Sequence, residues 1–363
     1  MTDFAVAPAR HARLDIDLDA LRANYRFLKS QASGGKLIAV IKADAYGHGA
    51  LEVARALAQQ ADAFAVATVG EAMALRRDGI DQRIVVLGGA SGPAEMATCA
   101  SHRLDPVIHQ FVHLDWLAAL PGEAVLDIWI KLDSGMGRLG FAVTDFPRAI
   151  GRARKLASVA RIRLMTHLAN ADDRADPRTH EQLQRVRAQS GDDLEWCVAN
   201  SAGLLAWPDS HRRWSRTGIA LYGSEPMQRL THGEVLQPVM TFRAPVLAIN
   251  PRQKGERIGY GGLYRCPADS LIAVIGVGYA DGYPRHLQGG YVVINGQRAA
   301  VVGRVSMDMI TIDVTDLKAA VGDEVILWGS EPLASEIARL SETIAYELFC
   351  HAGCHGRKTY VGR

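Results

Sequence analysis

From residue 36 to about 223 the sequence alternates between short apolar or β-branched runs and stretches of helical periodicity or polar connection, and this alternation limits the fold more than any other feature. The runs are KLIAVIK (36–42), AFAVAT (63–68), RIVVLGG (83–89), DPVIH (105–109), VLDIWIKLD (125–133), RIRLMTHLA (161–169), EWCVAN (195–200) and a weaker RRWSRTG (212–218). Helix candidates between them include GALEVARALAQQ, GEAMALRRDG and DPRTHEQLQRVRAQ, the last with Asp176 as N-cap and Pro177 at the first helical position. The runs are too apolar for a sheet with one solvated face, so they predict parallel strands covered on both sides. Eight such units fit a (β/α)8 TIM-type barrel. A doubly wound open sheet is the alternative, but no Gly-x-Gly-x-x-Gly follows a strand to form a dinucleotide crevice.

After LYGSEPMQRLTHGEVLQP the texture changes. From about residue 236 strands dominate: VMTFRAPVLAI, ERIGYGGLY, SLIAVIGVGYA, GYVVINGQRAAVVGRV, MITIDV and DEVILW. Asn295-Gly296 reads as a type I′ hairpin turn, and the helix-like PLASEIARLSETIAYELF follows. The expected organisation is therefore an N-terminal barrel domain, 1–235, and a C-terminal mostly-β domain, 236–363, which suits a chain of 363 residues.

Composition narrows the function classes. A formal charge of +2 with no basic block argues against a nucleic-acid surface. No stretch reaches the roughly 20 apolar residues of a membrane span, and the first residues lack a basic-then-apolar export signal, so the cytoplasm is expected. Five scattered cysteines (Cys99, Cys197, Cys266, Cys350, Cys354) read as free thiols. CHAGCHG has three residues between its cysteines, which is wrong for haem attachment, and reads as a polar tail of thiols and histidines.

Chemistry on a barrel collects at the C-terminal ends of its strands. Those ends carry Lys42, Lys131, His167 and Asn200–Ser201, with Arg138 in the glycine-rich loop after the fifth strand and Arg216 near the end of the eighth. Lys42 follows five apolar residues. It is either a snorkelling strand-end lysine or a desolvated amine with a lowered pKa, able to form a Schiff base. KLDSGMGRLGF is either an ordinary exposed loop or one that lets backbone and Arg138 approach a carboxylate or phenolate. His167 is either a core histidine or a ligand-facing one. Arg216-Thr217-Gly218-Ile219 occupies the region after the seventh and eighth strands where barrels often hold phosphate. RIGYGGLY, GVGYADGYPR and GRVSMDM, taken singly, read as hairpin-packing segments.

Together, AVIKADAYGHG, KLDSGMGRLGF, RTGIALYG, GYADGYPR and GRVSMDM closely resemble the alanine racemase family, fold-type III pyridoxal-phosphate enzymes, in the family's order and over most of the chain. The resemblance implies a two-base interconversion of L- and D-alanine, supplying D-alanine for peptidoglycan or serving its breakdown. It implies that Lys42 holds pyridoxal 5'-phosphate as a Schiff base and serves as one base. The opposite base is Tyr260, from the second subunit of a head-to-tail homodimer. Tyr46, Ser201, Gly218 and Ile219 match the phosphate-binding set, with Asn200 beside it, and His167 lies against the cofactor ring. Arg138 contacts the phenolic oxygen and the substrate carboxylate, and Lys131 matches a lysine often carbamylated to hold that arginine. Tyr279 and Met307, the latter through its backbone, match substrate-site residues of the partner subunit. Arg216 faces the pyridine nitrogen, where fold-related decarboxylases carry a carboxylate, which favours racemisation over decarboxylation. No metal is implied. A racemase for serine or a wider set of amino acids would use the same bases. A pyridoxal-phosphate carrier would match the first half only. Ser306 stands where many relatives have cysteine, and the tail lacks the usual Arg-Val-Pro, so no phosphate contact is assigned to it. His48 receives no role.

Overall fold

The computed structural model describes residues 10–189, 191, 194–227 and 235–362. The eight apolar runs each contain a strand: β2 (Lys36–Val40), β3 (Ala63–Val66), β4 (Ile84–Val86), β5 (Leu104–Ile108), β6 (Leu126–Lys131), β7 (Val159–Met165), β8 (Trp196–Cys197) and β9 (Trp214–Thr217). They pair in parallel in chain order and close, β2 meeting β9 with Ile38 opposite Arg216, so the barrel is formed and the open sheet is excluded. The weak eighth run thus supplies the closing strand. Between strands lie helices Ala50–Leu57, Val69–Arg77 and Arg178–Gln189, as the periodicity predicts. The Asp176 carboxylate accepts from Arg178 N at 2.8 Å, the expected cap.

The second half forms an eight-stranded sheet in the order β13-β16-β15-β14-β17-β10-β1-β18. Its members are β10 (Met240–Arg252), β13 (Ser270–Ile275), β14 (Tyr291–Ile294), β15 (Gln297–Val302), β16 (Ile310–Asp313) and β17 (Glu324–Trp328), with β1 (Arg13–Asp17) and β18 (Arg357–Val361) from the two ends of the chain. A separate ribbon pairs β11 (Arg257–Ile258) with β12 (Tyr264–Arg265). β14 and β15 pair across Asn295-Gly296, both at positive φ, which is the hairpin expected from sequence. β10 bends at an irregularity between Val246 and Ala248, and so reaches β1 and β17 with one half and β13 with the other.

Two sequence expectations change. PLASEIARLSETIAYELF is not one helical stretch but two helices, Ala334–Leu340 and Ala345–His355, interrupted where Glu342 takes φ 56°. CHAGCHG is not a polar tail: it continues the second helix, and the chain then enters β18, which runs parallel to β1. The five cysteines are all free. Among the described residues no helix is long and apolar enough to cross a membrane.

Candidate active site

The stretch after β2 has the least ordinary backbone in the molecule. Ala43, Asp44, Ala45 and Tyr46 all have φ between 51° and 54°, a left-handed turn built without glycine. Each such residue costs roughly 1–2 kcal/mol, so the turn needs support from outside itself. Glu71 accepts from Ala43 N at 2.7 Å, and Asp44 accepts from Ala50 N at 2.7 Å and pairs with Lys358 at 2.7 Å. The Ala345–His355 helix lies directly against the turn. A Cβ on Gly47 would sit 2.1 Å from the Phe349 carbonyl, and one on Gly353 would sit 2.2 Å from the Gly47 Cα. Glycine at both positions allows that approach.

Lys42 opens this turn at the barrel mouth, half-buried. Burial, and then the nearby Arg138 guanidinium, push its amine below the usual lysine range. Lys131, at the end of β6, is buried and pushed down to about 8 by desolvation, with Arg216 and Arg138 adding to the effect. Arg216 is buried on β9. It donates to the carbonyls of Thr166 (2.9 Å) and Cys197 (3.2 Å) and to His167 Nδ1 (3.0 Å). An arginine can only donate, so His167 Nδ1 is the acceptor and the ring is neutral with its proton on Nε2. Burial and the Arg216 charge hold that imidazole well below its ordinary pKa.

Arg138 is exposed, at the rim of a loop that Asp133 organises by accepting from the backbone N–H groups of Gly135, Met136 and Gly137 at 2.9–3.1 Å. Ser134 is pinned by Gln182 (3.0 Å) and Thr166 (2.7 Å), so the loop is anchored on its inner side. Lys131, Arg138, His167 and Thr166 share one small pocket with this loop.

A second corner of the mouth is rich in hydroxyl and N–H groups. Ser201 Oγ accepts from Gly218 N at 2.9 Å and lies 3.3 Å from Thr217 Oγ1. A Cβ on Gly218 would meet Tyr46 Oη at 2.5 Å, so only glycine lets that hydroxyl and the 218–219 backbone come together. Tyr46 is held between Tyr222 (centroids 5.0 Å apart) and Tyr346 (5.6 Å). Asn200 caps the Ser201–Ala206 helix through Gly203 N and donates to Leu168 O, so its side chain is engaged locally.

The remaining candidates lie on the β half. Tyr260 is 68% exposed, Met307 54% and Tyr279 39%. Tyr279 and Met307 belong to segments that bond to each other, Tyr279 N to Ser306 O (3.1 Å) and Ala280 N to Met307 O (3.0 Å). Among the described residues, no hydrogen bond or ion pair joins Tyr260, Tyr279 or Met307 to the barrel-mouth groups. The structure thus gathers Lys42, Tyr46, Lys131, Arg138, His167, Ser201, Arg216, Gly218 and Ile219 at one end of the barrel and leaves the other three facing solvent.

Sequence reasoning passed over four contributors. Glu71 supports the lysine turn, and its signal was the Thr68–Glu71 capping box at the start of the next helix. Arg10 chelates Asp281 and reaches Asp308 at 2.7 Å, tying together the segments of Tyr279 and Met307. Tyr346 and Phe349 of the last helix wall the turn, signalled only by the apolar spacing of that helix.

Comparison with known proteins agrees with this geometry. The family profile for the alanine racemase N-terminal domain matches residues 16–226, and that for the C-terminal domain matches 239–360. An alanine racemase of Azoarcus sp. (strain BH72) is 45% identical over 345 residues, covering 94% of this chain and 97% of that protein. Among solved structures, the biosynthetic alanine racemase of Pseudomonas aeruginosa superposes with a TM-score of 0.93 at 38% identity, covering 97% of this chain and 99% of that one. The alanine racemase of Bartonella henselae with covalently bound pyridoxal phosphate gives 0.88 at 31% identity, covering 98% and 100%. The chain belongs to the alanine racemase family, isomerases that interconvert the L and D enantiomers of alanine.

Proposed function

We propose that the chain racemises alanine with pyridoxal 5'-phosphate at the barrel mouth, using Lys42 of one copy and Tyr260 of a second copy as bases on opposite faces of the substrate. The observation that carries this reading is the separation of the two groups. Lys42 is half-buried with a depressed amine, whereas Tyr260 is 68% exposed on the other half of the chain. Inversion at Cα requires a proton to leave one face and another to arrive at the opposite face. One copy presents a base for one face only, and a homodimer supplies the other.

The donor set fits the cofactor. The mouth carries the amine of Lys42 and the guanidinium charges of Arg138 and Arg216, and its nearby carboxylates, Glu71 and Asp133, are engaged by backbone N–H groups. An anionic, phosphorylated pyridine aldehyde answers that excess, and the solved Bartonella henselae relative is named with this group covalently bound. Tyr46, Ser201, Gly218 and Ile219 would hold the phosphate, with Asn200 fixing the helix start beside it. Lys42 would hold the aldehyde end, and His167 would lie against the ring. When bound, the group supplies an electron sink that acidifies the substrate Cα–H.

Arg138 would pair its N–H groups with the alanine carboxylate and would also reach the phenolic oxygen of the bound group. Lys131, with an amine half-neutral near pH 8, is suited to add carbon dioxide: its lone pair forms the N–C bond, one proton leaves to solvent, and the resulting carbamate holds Arg138. Arg216 is a buried cation whose charge would disfavour a proton on the pyridine nitrogen of the bound group. The weaker sink suits reversible proton transfer and disfavours loss of carboxylate, so it argues against decarboxylation. Lys42 Nζ and the Tyr260 hydroxyl exchange roles as donor and acceptor with the direction of reaction. Tyr279 and the Met307 backbone of the second copy close a pocket around a side chain as small as methyl. Enantiomers are equal in free energy, so the same site serves D-alanine supply for peptidoglycan or D-alanine breakdown. The free thiols fit a cytoplasmic setting.

The test is proton exchange in 2H2O. Tyr260→Phe is expected to slow racemisation about 10²–10⁴-fold while Lys42 still exchanges the Cα proton of one enantiomer. Unchanged racemisation, or equal loss of exchange from both enantiomers, contradicts the two-base reading.

A further inference from the structure

His48, in the Gly-His-Gly after the lysine turn, is fully buried and touches none of the charged groups at the mouth by hydrogen bond. Its Nδ1 lies 3.0 Å from the carbonyl of Ala45 and 3.0 Å from that of Tyr46. Carbonyl oxygens only accept, so Nδ1 carries the proton and the neutral ring keeps its lone pair on Nε2. That Nε2 is buried without a partner. The ring stacks on Tyr222 (centroids 4.4 Å apart, planes 24° apart) and meets Phe349 edge-on at 5.1 Å. Burial pushes the imidazole down to about 4, so it stays neutral across the working range of a racemase.

The two carbonyls it binds belong to the last two residues of the left-handed turn, and Tyr46 is one of them. Glu71, Asp44 and Lys358 support the turn from its outer side, and His48 supports it from within. A ring needed only for packing would not bring a fully desolvated, unpartnered nitrogen into the core, where burial of a polar atom is costly. The hydrogen bonds at Nδ1 are what the ring gains.

We propose that His48 is a positioning residue for the cofactor site: as a neutral Nδ1–H donor it fixes the strained 43–46 turn, and through that turn the directions of Lys42 and of the Tyr46 hydroxyl. This rests on the reading of Lys42 and Tyr46 as cofactor-holding groups.

The test compares three variants of the holoenzyme. The amide nitrogen of Asn falls near the place of Nδ1, that of Gln near Nε2, and Phe keeps the ring without a donor. His48→Asn is expected to keep the dissociation constant for pyridoxal 5'-phosphate, read by equilibrium dialysis, within about threefold. His48→Gln and His48→Phe are expected to raise it about 10–100-fold and to lower kcat, with the KM for alanine little changed. Equal damage by Asn and Gln, or a Phe variant that binds like the parent, overturns the proposal. Lys42→Ala run in parallel separates the two levels: if it retains the cofactor normally, the reading of Lys42 has failed rather than that of His48. Independently of folding in any variant, the 15N spectrum of the parent should contain a neutral Nδ1–H imidazole that does not titrate between pH 5 and 8. Its absence also overturns the assignment.

Discussion

The two ends of the barrel are both rich in charge, and they use it in opposite ways. At the N-terminal end, Arg163 is 1% exposed and lies between Asp127 (3.0 Å) and Glu195 (3.0 Å), while Arg83 reaches Asp127 at 2.9 Å and also pairs with Asp105. Two tryptophans complete the set, Trp129 Nε1 donating to Asp105 and Trp214 Nε1 to Glu195. Every charge there has an opposite within the protein. At the C-terminal end, Lys42, Lys131, Arg138 and Arg216 form no ion pair among the described residues, the nearby Glu71 and Asp133 being held by backbone N–H groups, and desolvation depresses both lysines. An ionic network at the base links neighbouring strands from Arg83 to Glu195, whereas an open excess of positive charge at the mouth leaves the balancing anion to a ligand.

The comparison breaks if the two ends respond alike to mutation. Lys42→Ala is expected to reduce racemisation by at least about 10⁴-fold without lowering the denaturation midpoint of the cofactor-free protein, because one of several mutually repelling cations has gone. Arg163→Met should do the reverse, removing about 1–3 kcal/mol of stability because Asp127 is left with Arg83 and Glu195 loses its buried cationic partner, with kcat of the folded protein near the parent value. Urea unfolding and initial rates on the same samples check both. A stability loss in the first variant, or none in the second, would dissolve the contrast.

Acid sharpens it further. His48 has a folded pKa of about 4 against an ordinary 6.5. Between these values the unfolded chain takes up a proton that the folded chain refuses, so the contribution is complete above pH 6.5 and is lost as pH falls toward 4. The loss reaches about 3 kcal/mol at the lower end of the window. The Lys358 charge lowers the imidazole pKa and the Asp44 charge raises it, so the two act in opposite directions. The slope of unfolding free energy against pH over this window should flatten in His48→Phe, and an unchanged slope would remove His48 from the account.

Much of this molecule is legible in the sequence because parallel strands covered on both faces must be apolar throughout. Even RRWSRTG, the faintest of the eight runs, contains the closing strand. β1 was not legible: RLDID is short, and its partner residues in β10 lie more than 200 positions along the chain. The strand-end cations stood out because packing does not call for lysine or histidine there. The supports behind them were harder to read: a capping box marks Glu71 as the start of a helix, but the supporting role depends on a distant meeting, such as Glu71 with Ala43, 28 positions apart, or Arg10 with Asp308, 298 apart. The ionic base escaped notice for a related reason: isolated charges flanking strands read as solvated ends until closure of the barrel turns them toward one another.

The most direct test of the central proposal, a site assembled from Lys42 of one copy and Tyr260 of another, is complementation between two inactive variants. Lys42→Ala and Tyr260→Phe chains are mixed in equal amounts, allowed to exchange subunits, and assayed for racemisation against each variant alone. If the bases come from different copies, each mixed dimer holds one intact site and one doubly broken site, and random pairing restores about a quarter of the parent activity. If both bases belong to one chain, every site in every dimer carries a lesion and the mixture stays as inactive as its components, which would contradict the account.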